Sequence, residues 1–251
     1  MIRTIALVAT ISLLASCASG PPRMSRQAID RALVGAPGMA QPSKIVAAEL
    51  AFARAAQDDG QWTAFREFMG PGALIHGRNG PFDAGPWLSA QSNPPVAVKW
   101  AARSVWMSCD GTLAISRGRF LDPQGEVGTF ITLWQQQENL EYRWIYDLGA
   151  PDDPQPAAAE MAADAGIVVS AEDLIQGYVA DCPGEPNLMP APTMSVVGNT
   201  TRYRGGNSPD GTLRWRWEHR ADGTRRFYSQ YFSEGIWQTA VDHSIPPQDS
   251  E

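Results

Sequence analysis

The sequence predicts an α+β protein in which helices precede an antiparallel sheet and a C-terminal antiparallel β-meander closes the chain. Three observations carry this. Between residues 43 and 69 apolar side chains recur at helical spacings. From residue 98 to 149 come four runs rich in β-branched and aromatic residues. Those runs are separated by Cys109-Asp110-Gly111, Asp122-Pro123-Gln124-Gly125 and Glu138-Asn139, which suit hairpins and leave no room for crossover helices.

The elements follow in order. Residues 1–16 carry one charge, Arg3, and an apolar run from Ile5 to Leu14, too short to cross a bilayer and suited to a secretory signal. Leu14-Ala15-Ser16-Cys17 resembles a bacterial lipobox. That resemblance implies cleavage before Cys17, lipidation of Cys17 and a membrane anchor outside the cytoplasm, and Ala18 in place of an aspartate favours the outer membrane facing the periplasm. Residues 17–42 are rich in Pro, Gly and Ala and read as a flexible tether.

Ser43 is expected to cap a first helix in which Ile45, Leu50, Phe52 and Ala56 lie close together, with Gly60 ending it. QWTAFREFM places Trp62, Phe65 and Phe68 or Met69 on one stripe before Gly70-Pro71-Gly72 breaks it. ALIHG reads as a short strand, and Pro86-Trp87-Leu88 as a first helical turn. The four β runs are VKWAARSVWMS, TLAISRGRF, GTFITLWQQQ and YRWIYDLG.

This order, with the final hairpin carrying Gly128, Trp134, Trp144 and Asp147-x-Gly149, resembles a largely uncharacterised bacterial branch of the nuclear transport factor 2-like, or SnoaL-like, superfamily. The resemblance spans about residues 43–153. It implies helices packed on a strongly curved, cone-shaped sheet that encloses a cavity used as an active site, a ligand pocket or neither, and a homodimer formed through the sheet in some members. The usual glycine-rich turn of that hairpin is replaced by Glu138-Asn139-Leu140-Glu141.

Residues 154–251 form a C-terminal extension. AAAEMAADAG suggests a short helix, DLIQGYVADC a strand, and PGEPNLMPAP an extended connection. Asp210-Gly211, Asp222-Gly223 and Glu234-Gly235 bound a three-stranded meander, TLRWRWEHR, TRRFYSQYF and IWQTAVD. Side chains alternate along a strand, so Trp215 and Trp217 are expected to pack while Arg214, Arg216 and Glu218 face water. No internal repeat is evident beyond recurring Asp-Gly-Thr turns, which do not by themselves establish duplication.

Charge argues against a polyanion partner. The chain has 20 basic residues, one of them Arg3 in the signal, against 27 acidic ones, whereas nucleic-acid binders are basic and cluster their cations. Cys109 and Cys182 are free to pair in an oxidising envelope or to remain buried thiols. His76, His219 and His243 are scattered and no Cys-x-x-Cys occurs, so no metal site is expected. No cofactor motif is present either.

For the last hairpin, a loop of two or four residues sets Trp134 opposite Arg143 or Ile145. One face then carries Phe130, Thr132, Trp134, Gln136, Arg143, Ile145 and Asp147, and the other Ile131, Leu133, Trp144 and Tyr146. The first mixes aromatic and polar groups as ligand cavities do, which makes Trp134, Arg143 and Asp147, with Trp87 at the mouth, the candidate ligand-binding residues. Nine tryptophans invite a carbohydrate reading, yet most alternate as a buried face would. Catalytic candidates are His76 and Asp147, with Asp83 a third convenient acid. The absence of an evident acid-base pair leans toward a non-catalytic envelope protein that binds a small, mostly apolar ligand or a protein partner. The alternative is a SnoaL-like isomerase, dehydratase or hydrolase with His76 or Asp147 as general base.

Overall fold

The first helix begins one residue before the expected cap. Pro42 opens α1 (Pro42–Asp58), with Gln41 at the N-cap and no side-chain cap bond; the fixed φ of proline suits a first helical turn. Its buried stripe is Ile45, Glu49, Phe52 and Ala56, whereas Leu50 is 57% exposed. The expected stripe therefore held one wrong residue and lacked a carboxylate. Gly60, at φ +99°, turns the chain into α2 (Gln61–Phe68), and the Asn93 side chain accepts from the free amides of Trp62 and Thr63 at 2.8 and 3.1 Å. A third helix, α3, covers Ala84–Ser89. The structure, a computed structural model, describes residues 39–156, 175–182 and 200–247. The signal segment, Cys17, the AAAEMAADAG helix and the PGEPNLMPAP connection lie outside the described residues.

The first sheet holds β1 (Met69–Gly77), β2 (Gly80–Asp83), β3 (Lys99–Met107), β4 (Leu113–Leu121), β5 (Val127–Gln136), β6 (Tyr142–Pro151) and β7 (Gln176–Val179), in the order β2-β1-β6-β5-β4-β3-β7. The run β3 to β6 is antiparallel, as the hairpin signals predict. Two parallel pairings, β1 with β6 and β3 with β7, make the whole sheet mixed. The register of the β5–β6 hairpin departs from expectation. Leu133 pairs with Tyr146 but Trp134 pairs with Trp144, so Ile145 is an extra residue, a β-bulge. The bulge turns Trp144 onto the same face as Trp134, where both are fully buried against the helices.

The second sheet is antiparallel and has four strands: β8 (Thr200–Asn207), β9 (Leu213–Arg220), β10 (Arg225–Ser233) and β11 (Ile236–Ile245). The meander turns fall at Gly211, Gly223 and Gly235, all with positive φ, a conformation glycine adopts without steric cost. One core joins the two sheets, with Leu113, Ile115, Ile131 and Leu133 meeting Leu213, Trp215, Trp217 and Phe227. The other lies between the first sheet and the helices, around Phe52, Leu88, Trp134 and Trp144. The described residues are thus layered as helices, sheet and sheet.

Trp215 and Trp217 pack inward, but Arg214, Arg216 and Glu218 do not face water. They are 3%, 4% and 0% exposed. Arg216 pairs with Glu218 at 2.8 Å, and Arg214 sits 4.0 Å over the Trp237 ring. Alternation sorted the two faces correctly; what it does not reveal is that these three charged side chains are themselves buried. Cys109, just past β3, and Cys182, just past β7, are joined by a disulfide with Cα atoms 5.1 Å apart.

Candidate functional site

Three neighbouring strands place a row of polar side chains on the helix-facing side of the first sheet. Ser116 on β4 pairs with Thr132 on β5, and Thr132 with Asp147 on β6. The Thr132 hydroxyl donates to Asp147 Oδ2 at 2.8 Å. From α1, Glu49 descends onto the other end of the row. Its carboxylate accepts from the Ser116 hydroxyl and from the indole N–H groups of Trp134, at 3.1 Å, and Trp100, at 3.2 Å.

Above this row opens a cavity of about 410 Å³, within the range of small-molecule pockets. Its walls are Phe52, Trp62, Phe65, Trp87, Trp100, Phe120 and Phe130, with Thr132 and Asp147 reaching it and Arg78 and Asp122 also lining it. The rings brace one another edge to face: Trp62 and Trp87 lie 5.0 Å apart at 84°, and Phe52 and Trp100 4.8 Å apart at 70°. Such offsets suit the charge distribution of aromatic rings.

The electrostatics follow from enclosure. Asp147 is surrounded by protein except toward the cavity, and burial lifts its carboxyl to about 7, against the Thr132 bond and with help from nearby Glu49. Burial also raises Glu49, despite its three donors. Two carboxyls in one enclosed site disfavour simultaneous ionisation. Asp147 thus shuttles between acid and carboxylate near neutrality, the condition that proton transfer or hydrogen bonding to a ligand requires.

The sequence-derived candidates separate here. Asp147 and Trp87 line the cavity. Trp134 does not; it is fully buried beneath it, its N–H spent on Glu49 and Ser116. Arg143 also lies away from it, held by the Glu67 carbonyl and the Glu141 carboxylate, because the bulge at Ile145 shifts the face on which the preceding residues fall. Asp83 is exposed at the start of α3.

His76 borders the cavity, but its ring points between the sheets. Nδ1 lies 2.8 Å from the Tyr146 hydroxyl and Nε2 3.3 Å from His219 Nδ1, and the residue is 1% exposed. Burial, then His219 and the Arg225 and Arg202 guanidiniums, push its pKa down to about 3. An imidazole with both nitrogens engaged and so weak a base is unsuited to take a proton from a ligand. Trp62, Trp100 and Glu49 belong to the site without having been singled out from sequence. Glu49 carried a signal in retrospect, since it sits four residues after Ile45 and three before Phe52 on the buried stripe.

No family model matches the sequence, and no curated protein matches it. Among solved structures, the chain is similar to an NTF2-like protein of unknown function from Shewanella baltica, with a TM-score of 0.34 and 17% identity over 45% of this chain and 92% of that one. It is also similar to an NTF2-like protein of unknown function from Mesorhizobium loti, with a TM-score of 0.30 and 13% identity over 45% of this chain and 94% of that one.

Proposed function

We propose that this protein is an envelope lipoprotein, anchored through Cys17, whose body binds a small, mostly apolar ligand oriented by one polar group against Asp147 and Thr132. The observation that carries the binding reading is the aromatic-walled cavity of about 410 Å³ with a carboxyl at its floor. Apolar walls supply affinity and a single polar pair fixes orientation, as in ligand pockets generally. The test is a titration with 2-naphthol, a neutral aromatic probe, followed through quenching of Trp62, Trp87 and Trp100. Saturable quenching that weakens in Trp87→Ala supports the reading; linear, unsaturable quenching sinks it. Anchoring is checked separately by metabolic labelling with a palmitate analogue, which Cys17→Ser is expected to abolish.

A second reading is favoured by one observation. Asp147 faces the cavity with its carboxyl near 7, as a general base working at neutral pH would. In this role Asp147 takes a proton from carbon beside a carbonyl, and the Thr132 hydroxyl holds the carboxylate in place. Exchange of such protons for deuterium in an aryl ketone, slowed by roughly 100-fold or more in Asp147→Asn, distinguishes catalysis from binding alone.

A further inference from the structure

The turn before β4 and the turn before β9 differ at one position out of six: Ser108-Cys109-Asp110-Gly111-Thr112-Leu113 against Ser208-Pro209-Asp210-Gly211-Thr212-Leu213. Their internal bonds match. The Ser108 amide donates to the Leu113 carbonyl at 2.9 Å and the Ser208 amide to the Leu213 carbonyl at 2.8 Å. The Thr112 and Thr212 amides donate to Oδ1 of Asp110 and Asp210 at 2.9 and 3.1 Å.

The correspondence continues through the strands. Ser116 pairs with Thr132 and Thr132 with Asp147 in the first sheet, as Arg216 pairs with Tyr228 and Tyr228 with Asp242 in the second. The Gln136 amide donates to the Thr112 carbonyl, and the Phe232 amide to the Thr212 carbonyl, at 2.8 and 2.9 Å. Even the irregularity recurs. Pairing steps from Leu133–Tyr146 to Trp134–Trp144 over Ile145, and from Ser229–Val241 to Gln230–Thr239 over Ala240. An extra residue at the same place in the same hairpin is a specific feature, since bulges are retained among related sheets rather than scattered as defects.

The two turns also touch, and they do so reciprocally. Asp110 N–H donates to Asp210 Oδ2 at 2.8 Å, and Asp210 N–H to Asp110 Oδ2 at 3.3 Å, across a separation of 100 residues. A contact and its mirror between equivalent residues is the signature of a two-fold axis. Equivalent positions fill the shared core as well, Leu113 with Leu213 and Ile115 with Trp215.

We propose that β8–β11 is a second copy of the β3–β6 meander, docked about a pseudo-two-fold axis on the back of the first sheet, so that the chain supplies in cis the partner that this self-complementary face fits. The face is therefore filled within one molecule and is closed to a second copy of the chain. This inference is independent of the ligand reading.

One break in the axis gives the test. Cys109 N–H donates to Thr212 Oγ1 at 2.9 Å, while Pro209 has no N–H to return the bond to Thr112. In the full chain carrying Pro209→Ala, the new amide at 209 and the Cys109 amide are both expected to exchange with deuterium roughly 100-fold more slowly than an unstructured amide. A freely exchanging amide at 209 beside a protected one at 109 overturns the equivalence. Light scattering on the unsubstituted full chain, with exchange read at rising concentration, tests the closed face. A monomer, or a dimer that leaves exchange of the β4 and β9 amides unchanged, supports it. A dimer that slows those amides overturns it.

Discussion

Asp147→Asn isolates the energetic cost of enclosing a carboxyl at the cavity floor. In the folded protein burial lifts Asp147 from 3.8 to about 7. Because the folded value is raised, the contribution of this group is fully present below about pH 4 and is lost as the pH rises through about 7. Each pH unit between the two values is worth about 1.4 kcal/mol, so the loss above neutrality is on the order of 4 kcal/mol. Asparagine keeps the shape and an oxygen able to accept from Thr132, but carries no ionisation. Urea unfolding of both proteins from pH 4 to pH 9 measures the difference directly. Near pH 4 the two are expected to be similar, and by pH 8 the Asn variant is expected to be more stable by several kcal/mol. Parallel profiles across the range, or a variant that loses ground as the pH rises, would refute the argument that burial dominates at this carboxyl.

Other perturbations have equally direct readouts. Glu49→Leu leaves the Trp100 indole N–H without its acceptor, and leaves the Ser116 hydroxyl and the Trp134 indole N–H with only the Thr132 carbonyl at 3.4 Å and the Ser116 oxygen at 3.0 Å, and is expected to cost about 2 to 5 kcal/mol in chemical denaturation; Glu49→Gln, which keeps one carbonyl oxygen, costs less. Opening the Cys109–Cys182 disulfide, which spans 73 residues, releases chain entropy worth up to about 4 kcal/mol, to be read as the drop in urea midpoint after Cys109→Ser with Cys182→Ser. Gly118→Ala sets a Cβ at 2.1 Å from the Ala101 carbonyl oxygen, an atom that cannot swing aside, so a loss of roughly 2 kcal/mol or more is expected in thermal melts. Gly149→Ala, where the nearest atom is 3.8 Å away at Phe120, serves as the tolerated comparison.

Much of the element order was legible because it rests on local chemistry. Asp-Gly turns and alternating runs located β3 to β6 and β9 to β11 before any contact was known. Pairing was harder to read. A single bulge at Ile145 changes the partner of Trp134 from the expected Arg143 or Ile145 to Trp144, and nothing local in YRWIYDLG marks where an extra residue falls. Burial of charge was equally hidden. Glu49 reads as a surface residue until Ser116, Trp100 and Trp134, distant in sequence, are brought to it. Arg214, Arg216 and Glu218 alternate away from the tryptophans as a solvent face would, and their enclosure is a tertiary fact. The site followed the same division: Asp147 was found from a local pattern, whereas the ring of Trp62, Trp87 and Trp100 around it exists only once α2, α3 and β3 converge.

The disulfide also bears on how the chain behaves before it is fully folded. It lies beside the one strand, β7, that caps the open border of β3 in the first sheet. That cap is four residues long, against nine in β3, and so short a strand offers little template for further strand addition. A reduced chain in which β7 lets go would instead present the unpaired backbone of β3 to any passing extended segment, including the same strand of another molecule. Oxidation at this one site thus guards the nascent protein against edge-to-edge assembly, and its solubility during production should track the redox potential of the compartment in which it folds.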